Sequence, residues 1–276
     1  MPTKLKPELV FYSGATLLEG PCWDPKEEVV YCVAIEQSLV YRINFLSREV
    51  TSYQTNGPVG CVVIDNNGML LTAEKNGIYK INSLTQERTL LIHPEDNPLM
   101  RYNDGKLDPL GRFIFGTMGE NQTLPNKGKL FSYDGNIVKT IIEGITISNG
   151  IGFSNNGEFM YFIDTPTKKV ARYFYNLKLG EANFDKYIIE IDGEGYPDGM
   201  CVDIDDNLWI AEWEGGKVCK WNSKTGEKLN EITLPCKRVT SCCLGGDNLD
   251  SLFITTAKKD KYFEPLAGGL FKLKIH

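Results

Sequence analysis

A chain of 276 residues, 42% hydrophobic and 24% charged, can bury a large core and fits one large all-β domain or two ordinary ones. A formal charge of -6 argues against nucleic-acid and anionic-membrane partners, which need clustered Lys and Arg; the run Lys258-Lys259-Asp260-Lys261 is short enough to be solvated surface. No apolar core of signal-peptide length follows Met1 and no apolar run reaches membrane-spanning length, so a soluble, cytoplasmic protein is expected.

In chain order, Glu8-Leu9-Val10-Phe11-Tyr12 reads as a first strand, and one pattern then recurs. An apolar strand ends at an Asp or its equivalent, a polar turn follows, and a second apolar strand comes after it. The anchors are Asp24, Asp65, Asp108, Ser154, Asp203 and Gly245, separated by 41, 43, 46, 49 and 42 residues. Second strands are expected from Val29 to Val33, Met69 to Ala73, Phe113 to Thr117, Phe159 to Ile163, Leu208 to Ala211 and Leu252 to Thr255. A third follows in most units, as from Gly77 to Ile81, Lys129 to Tyr133, Lys217 to Trp221 and Gly269 to Leu273. Asn, Asp and Gly at the joints suit antiparallel hairpins.

Sheets of roughly four strands repeating every 40 to 50 residues or so define a β-propeller. The expected fold is therefore all-β, a single six-bladed propeller over residues 1–276 with four antiparallel strands per blade. Glu8 to Tyr12 is expected as the outer strand of the blade that the C-terminus finishes, which closes the ring and removes exposed edges. No helix is strongly signalled, and Asp96 to Leu99 and Asn121 to Lys127 read as loops.

The residue types narrow the chemistry. Eight cysteines occur without a Cys-x-x-Cys, and Cys22, Cys61, Cys201 and Cys243 sit in or beside strand-like runs, so buried reduced thiols are expected. Only two histidines exist, His93 and His276, which excludes a multi-histidine zinc site and a Ser-His-Asp hydrolase. Gly-x-Ser-x-Gly, a P-loop and a dinucleotide fingerprint are absent. Carboxylates, amides and a hard cation are what remain.

In a propeller the innermost strands run along a central channel, so residues at one fixed offset before each anchor converge on the axis. Five residues before the anchors stand Glu19, Gly60, Asn103, Asn149, Asp198 and Thr240. Asn-Gly and Asp-Gly are ordinary turn dipeptides taken singly. Four oxygen donors at equal offsets in a closed ring are different, because crowded carboxylates in a low-dielectric channel need a cation or proton to offset them. The glycines after Glu19, Asn149 and Asp198 are expected to let the backbone turn sharply. An all-oxygen site suits one divalent cation, Ca2+, Mg2+ or Mn2+, with Zn2+ also compatible. Three protein ligands would leave room for water and substrate, the pattern of a catalytic site.

Leu18-Glu19-Gly20-Pro21, Arg101-Tyr102-Asn103-Asp104-Gly105-Lys106, Gly116-Thr117-Met118, Ser148-Asn149-Gly150, Pro197-Asp198-Gly199-Met200 and Thr240-Ser241-Cys242-Cys243-Leu244-Gly245-Gly246 resemble the motifs of the regucalcin, gluconolactonase and luciferin-regenerating-enzyme family, in the same order along nearly the whole chain. The resemblance implies a six-bladed propeller that holds one divalent metal and, in some members, hydrolyses sugar lactones to aldonic acids. It implies Glu19, Asn149 and Asp198 as metal ligands, and Arg101 and Asn103 as substrate-binding residues. Regucalcin-like members carry a carboxylate three residues after the methionine of Gly-Thr-Met, where this chain has Asn121 with Glu120 before it. Both are therefore candidates on the substrate side.

The mechanism that follows is metal-assisted opening of a lactone, with the cation polarising the carbonyl and Asp198 orienting or deprotonating the attacking water. Arg101 would hold a ring oxygen or hydroxyl, and the loop from Asn121 to Gly128 is a candidate shield. Glu36, Glu74, Asp164 and Glu212, at the ends of second strands, are read as hairpin or blade-packing residues. A calcium-binding regulatory protein, a luciferin-regenerating-type enzyme and an interaction scaffold stand as alternatives. The partner expected is a small-molecule lactone, and the chain a monomer or weak homodimer.

Overall fold

Hairpins organise the chain from one end to the other. This computed structural model describes residues 6–121, 123–259 and 263–275, which form 24 strands and one 3-10 turn, Thr165–Thr167. Asp260, Lys261 and His276 lie outside the described residues. β1 (Glu8–Tyr12) comes first. Blade one is β2 (Leu18–Asp24), β3 (Val29–Ala34), β4 (Leu39–Asn44) and β5 (Val50–Gln54), and blade two is β6 (Val59–Ile64), β7 (Leu70–Glu74), β8 (Gly77–Ile81) and β9 (Arg88–Ile92). Blade three is β10 (Met100–Leu107), β11 (Phe113–Gly119), β12 (Gly128–Tyr133) and β13 (Val138–Ile145), and blade four is β14 (Ser148–Phe153), β15 (Phe159–Asp164), β16 (Lys169–Asn176) and β17 (Glu181–Glu190). Blade five is β18 (Tyr196–Val202), β19 (Asn207–Trp213), β20 (Lys217–Asn222) and β21 (Lys228–Thr233). Blade six is β22 (Arg238–Gly245), β23 (Ser251–Ala257), β24 (Gly269–Lys274) and β1.

This is the expected six-bladed propeller with antiparallel blades. β1 pairs antiparallel with β24, so the two ends of the chain close the sixth sheet.

The recurring anchors earn their place in the turn between first and second strands. The Asp65 carboxylate accepts the Asn67 and Met69 N–H groups at 2.8 and 2.9 Å, and Asp108 does the same for Leu110 and Arg112 at 2.9 and 2.8 Å. Ser154 substitutes a hydroxyl, which accepts the Phe159 N–H at 2.9 Å. The five anchors with side chains thus satisfy turn amides that no ladder can reach, and at Gly245 a Cβ would lie 2.7 Å from Phe253.

Second strands such as Val29–Ala34 and Ser251–Ala257 are buried at every position. Each lies between two neighbouring blades, which is why these strands read as continuous apolar runs without a solvent-facing alternate residue. Six hydrophobic clusters fill the six junctions. The closing junction packs Leu18, Val30 and Cys32 of blade one against Cys243, Phe253 and Leu270 of blade six. There Phe253 stacks on Trp23 (centroids 5.7 Å apart) and on Phe45 (5.1 Å). Burying Phe253 completely contributes on the order of 3 kcal/mol, and its ring contacts add to that.

All eight cysteines are free, seven buried and Cys22 half-buried, in agreement with the sequence. Among the described residues no helix is long and apolar enough to cross a membrane.

Candidate metal centre at the front of the channel

Every innermost strand carries one irregularity, and it falls at the same height. Register shifts occur between Glu19 and Cys22, Val59 and Cys61, Tyr102 and Gly105, Asn149 and Ile151, Pro197 and Met200, and Val239 and Ser241. A bulge sets two residues against one, breaks the alternation of faces and re-aims a side chain. The six fixed-offset residues sit at these bulges, near the end of the channel where the inner strands begin. That end is called the front here, and the anchor turns mark the rear.

Two of the six serve the ring itself. A Cβ on Gly60 would lie 2.2 Å from the Asn103 carbonyl oxygen, so only glycine lets blades two and three approach there. Thr240 donates its hydroxyl to the Leu18 carbonyl at 2.6 Å and ties blade six to blade one. The expected glycine turns are realised in part. Gly20 has φ +51, whereas Gly150 and Gly199 stay outside the left-handed region and are needed for space: a Cβ on Gly199 would meet Ser241 Oγ at 2.1 Å.

The other four are polar and turned inward. Asn103, Asn149 and Asp198 are buried and Glu19 is half-buried. A hydrogen-bond chain runs through them. Arg101 Nη1 donates to Asn103 Oδ1 at 2.6 Å, and Asn103 Nδ2 donates to Asn149 Oδ1 at 2.9 Å and to the Ser148 carbonyl at 2.7 Å. Asn149 Nδ2 donates to Thr165 Oγ1 at 2.8 Å, and Thr165 donates to the Pro197 carbonyl at 2.9 Å, one residue from Asp198. The chain orients both amides and leaves Asn149 Oδ1 a free lone pair.

Glu19 and Asp198 are electrostatically exposed to one another. Burial, then the Asp104 carboxylate, pushes Glu19 up to about 8 against the Gly20 N–H and Arg101. Burial, then Glu19 and Asp104, raises Asp198 well above the usual carboxylate range, opposed by Arg101 and the Gly199 N–H. Asp198 Oδ1 is buried with no hydrogen-bond partner. Among the described residues neither carboxylate forms an ion pair with a side-chain cation, and no group of three or more His, Cys, Asp and Glu side chains could hold a metal. A cation at this site would draw on the Asn149 amide as its third donor. An orphaned carboxylate oxygen beside a second desolvated carboxylate and an oriented amide is a donor set that fits a hard divalent ion.

The substrate-side candidates separate. Arg101 is half-buried; burial lowers it, opposed in turn by Glu19, Glu120, Glu36 and Asp198. Glu120 is ion-paired with Lys75. Asn121 is exposed, beside Gln122, which lies outside the described residues. Glu74 pairs with Arg88, Asp164 accepts the Ile147 N–H at 2.9 Å, and Glu212 lies 3.7 Å from Lys217, all packing roles as read from the sequence. Glu36 is exposed in the β3–β4 turn yet bears on Arg101.

Asp104, Lys106 and Thr165 were not singled out by sequence reasoning. Strict alternation turns Asp104 away from the face of Asn103, but the bulge between Tyr102 and Gly105 lets both reach the channel. Burial raises Asp104 against Lys106 and the Gly105 N–H. Burial works to lower Lys106, but Asp104, with smaller contributions from Cys201, Cys243 and Cys22, opposes it, and the ammonium is held above its usual value.

The fold and channel together define a six-bladed propeller with a ring of inward oxygen donors. The chain belongs to the family described as SMP-30/Gluconolactonase/LRE-like region, which matches residues 17–258. It is 32% identical to a regucalcin of Xenopus laevis over 98% of this chain and 95% of that one. Among solved structures, a calcium-binding protein, regucalcin, from Agrobacterium tumefaciens superposes with a TM-score of 0.92 at 24% identity, covering 98% of this chain and 93% of that one. A luciferin-regenerating enzyme gives 0.89 at 25%, covering 97% and 95%. A gluconolactonase from Xanthomonas campestris gives 0.80 at 19%, covering 96% and 88%, a likeness of fold.

Proposed function

We propose that this chain is a metal-dependent lactonase that opens a sugar lactone, an aldonolactone of the gluconolactone type, to its aldonic acid. Glu19, Asn149 and Asp198 would hold one divalent cation, with Ca2+, Mg2+ or Mn2+ as first candidates and Zn2+ compatible. Such an ion supplies Lewis acidity toward the lactone carbonyl and the charge that two desolvated carboxylates lack.

The observation that carries the reading is Asp198 Oδ1, buried without a partner beside a second desolvated carboxylate. With Oδ1 turned to the ion, the second oxygen of the Asp198 carboxylate would take the proton of the attacking water as the new C–O bond forms. The ring ester bond then breaks and the proton returns to the leaving alkoxide, so lactone and water become a hydroxy acid and Asp198 is restored. Arg101, fixed by Asn103 and the Tyr102 carbonyl, presents its remaining N–H groups to a ring oxygen or hydroxyl. Asn103, committed through Nδ2 to the Ser148 carbonyl and Asn149, positions the second amide. Glu120 and Asn121 shape the rim, and Glu120 sets the charge around Arg101.

Family membership with gluconolactonases supports the reaction class. The 32% identity to a regucalcin supports a second reading, calcium binding in a regulatory role. A luciferin-related substrate is the enzymatic alternative. Proton release from a panel of aldonolactones, by wild type and Asp198→Ala stripped with chelator and reloaded with each cation, decides among them. Turnover that needs metal and collapses in the variant supports the lactonase. Inert lactones with intact metal binding would remove it and leave the other two.

A further inference from the structure

Behind the bulges the channel widens into a cavity of about 490 Å3, within the size range of small-molecule sites. All six inner strands line it, and its inner end is made by Gly20 and Asp104, next to Glu19. Trp23, Phe153, Val202 and Leu244 form its walls, all half-buried although they sit at the centre of the molecule. Lys106 enters from one side. Its ammonium makes a single long hydrogen bond, 3.4 Å to the Met200 carbonyl, and among the described residues no carboxylate lies within ion-pair distance of it. Two of its three protons are left for the cavity.

Two of the thiols in the lining, Cys22 and Cys243, are neutral. Burial pushes Cys22 up to about 11 and holds Cys243 well above its ordinary value, so neither competes for the ammonium as a thiolate. Asp104 lies at the inner end and Asp108 is paired with Arg112, so among the described residues Lys106 is the one cation in walls that are otherwise mostly apolar and aromatic. That suits a monoanion with an apolar body, whereas a phosphate would want the several donors of an arginine or a backbone nest. Charge in the channel agrees. With a divalent ion at the front and its ligands ionised, Glu19, Asp104 and Asp198 against Arg101, Lys106 and the ion leave one net positive charge.

We infer that the rear of the channel is a second ligand site, in which Lys106 binds the head of a small organic carboxylate whose apolar body lies against Trp23, Phe153, Val202 and Leu244. The site is separate from the proposed hydrolytic centre and does not depend on turnover there.

Calorimetric titration of 1-naphthoate into the full chain saturated with Ca2+ tests it. One site per chain is expected, with 1-naphthalenemethanol, the same body without the charge, binding about tenfold more weakly or worse. Lys106→Met is expected to weaken naphthoate roughly tenfold or more, and Leu244→Trp, which fills the cavity and keeps every charge, to do the same should Lys106→Met fail to fold. Absence of binding at millimolar concentration, equal affinity for the alcohol, or wild-type affinity in Leu244→Trp would each overturn the assignment.

Discussion

Asp198 and Asp203 stand five residues apart on one inner strand and its turn, and their surroundings are opposite. Asp203 accepts the Asp205 and Asn207 N–H groups at 3.0 and 2.9 Å, the Trp209 indole at 3.1 Å and the Lys220 ammonium at 2.8 Å. Burial works to raise it, yet Lys220, the Asn207 N–H and Trp209 hold it below the usual carboxylate value. Asp198 has comparable burial, no side-chain cation in ion-pair contact and an orphaned oxygen. Buried carboxylates that stabilise a fold are surrounded by donors, and one that is not is available to a ligand. The anchor carboxylate Asp203 is built to hold its turn, whereas Asp198 at the front lacks the donors that such a role requires.

The largest effect that separates the two ends is on turnover. Asp198→Ala is expected to lower kcat for an aldonolactone by about a thousandfold, roughly 4 kcal/mol, as read by proton release, while its metal-free thermal stability stays level or rises because a repulsion is removed. Asp203→Ala should do the reverse. Leaving the half-buried Lys220 without its partner is expected to cost about 2 kcal/mol in urea denaturation, with the kcat of the folded fraction near wild type.

The Asp203 contribution carries a pH signature. Its folded pKa lies below the unfolded value, so the stability it adds is fully present above the unfolded pKa and is lost as pH falls through the folded one. The gap between wild type and Asp203→Asn should be flat from about pH 5 to 7 and shrink below about pH 4.

Cation binding sharpens the front end further. Ca2+ at a hundred times its dissociation constant is expected to stabilise wild type by about 2.7 kcal/mol in thermal melts, and to leave Glu19→Gln unmoved. Thr165→Val, which removes the partner of Asn149 Nδ2, is the mildest change, lowering cation affinity roughly tenfold with little change in the metal-free melt.

The blade count and the offset ring were legible because each inner strand keeps a constant length from bulge to anchor, and Asp24, Asp65, Asp108 and Asp203 mark one end of it. Outer strands such as Val50–Gln54 and Lys228–Thr233 carry too little buried surface to leave a clear pattern. Asp104 and Lys106 escaped because alternation assigns Asp104 to the wrong face, and only the bulge corrects it. Thr165 escaped because its role depends on a contact between blades four and five that no local pattern encodes.

The central claim is that the front carboxylates hold a divalent ion and the rear ones do not. Calorimetric titration of Ca2+ into chelator-treated wild type, Asp198→Asn and Asp203→Asn tests it most directly. About one site per chain is expected in wild type and in Asp203→Asn, and none in Asp198→Asn. Equal binding in Asp198→Asn, or no binding in wild type, would contradict the account.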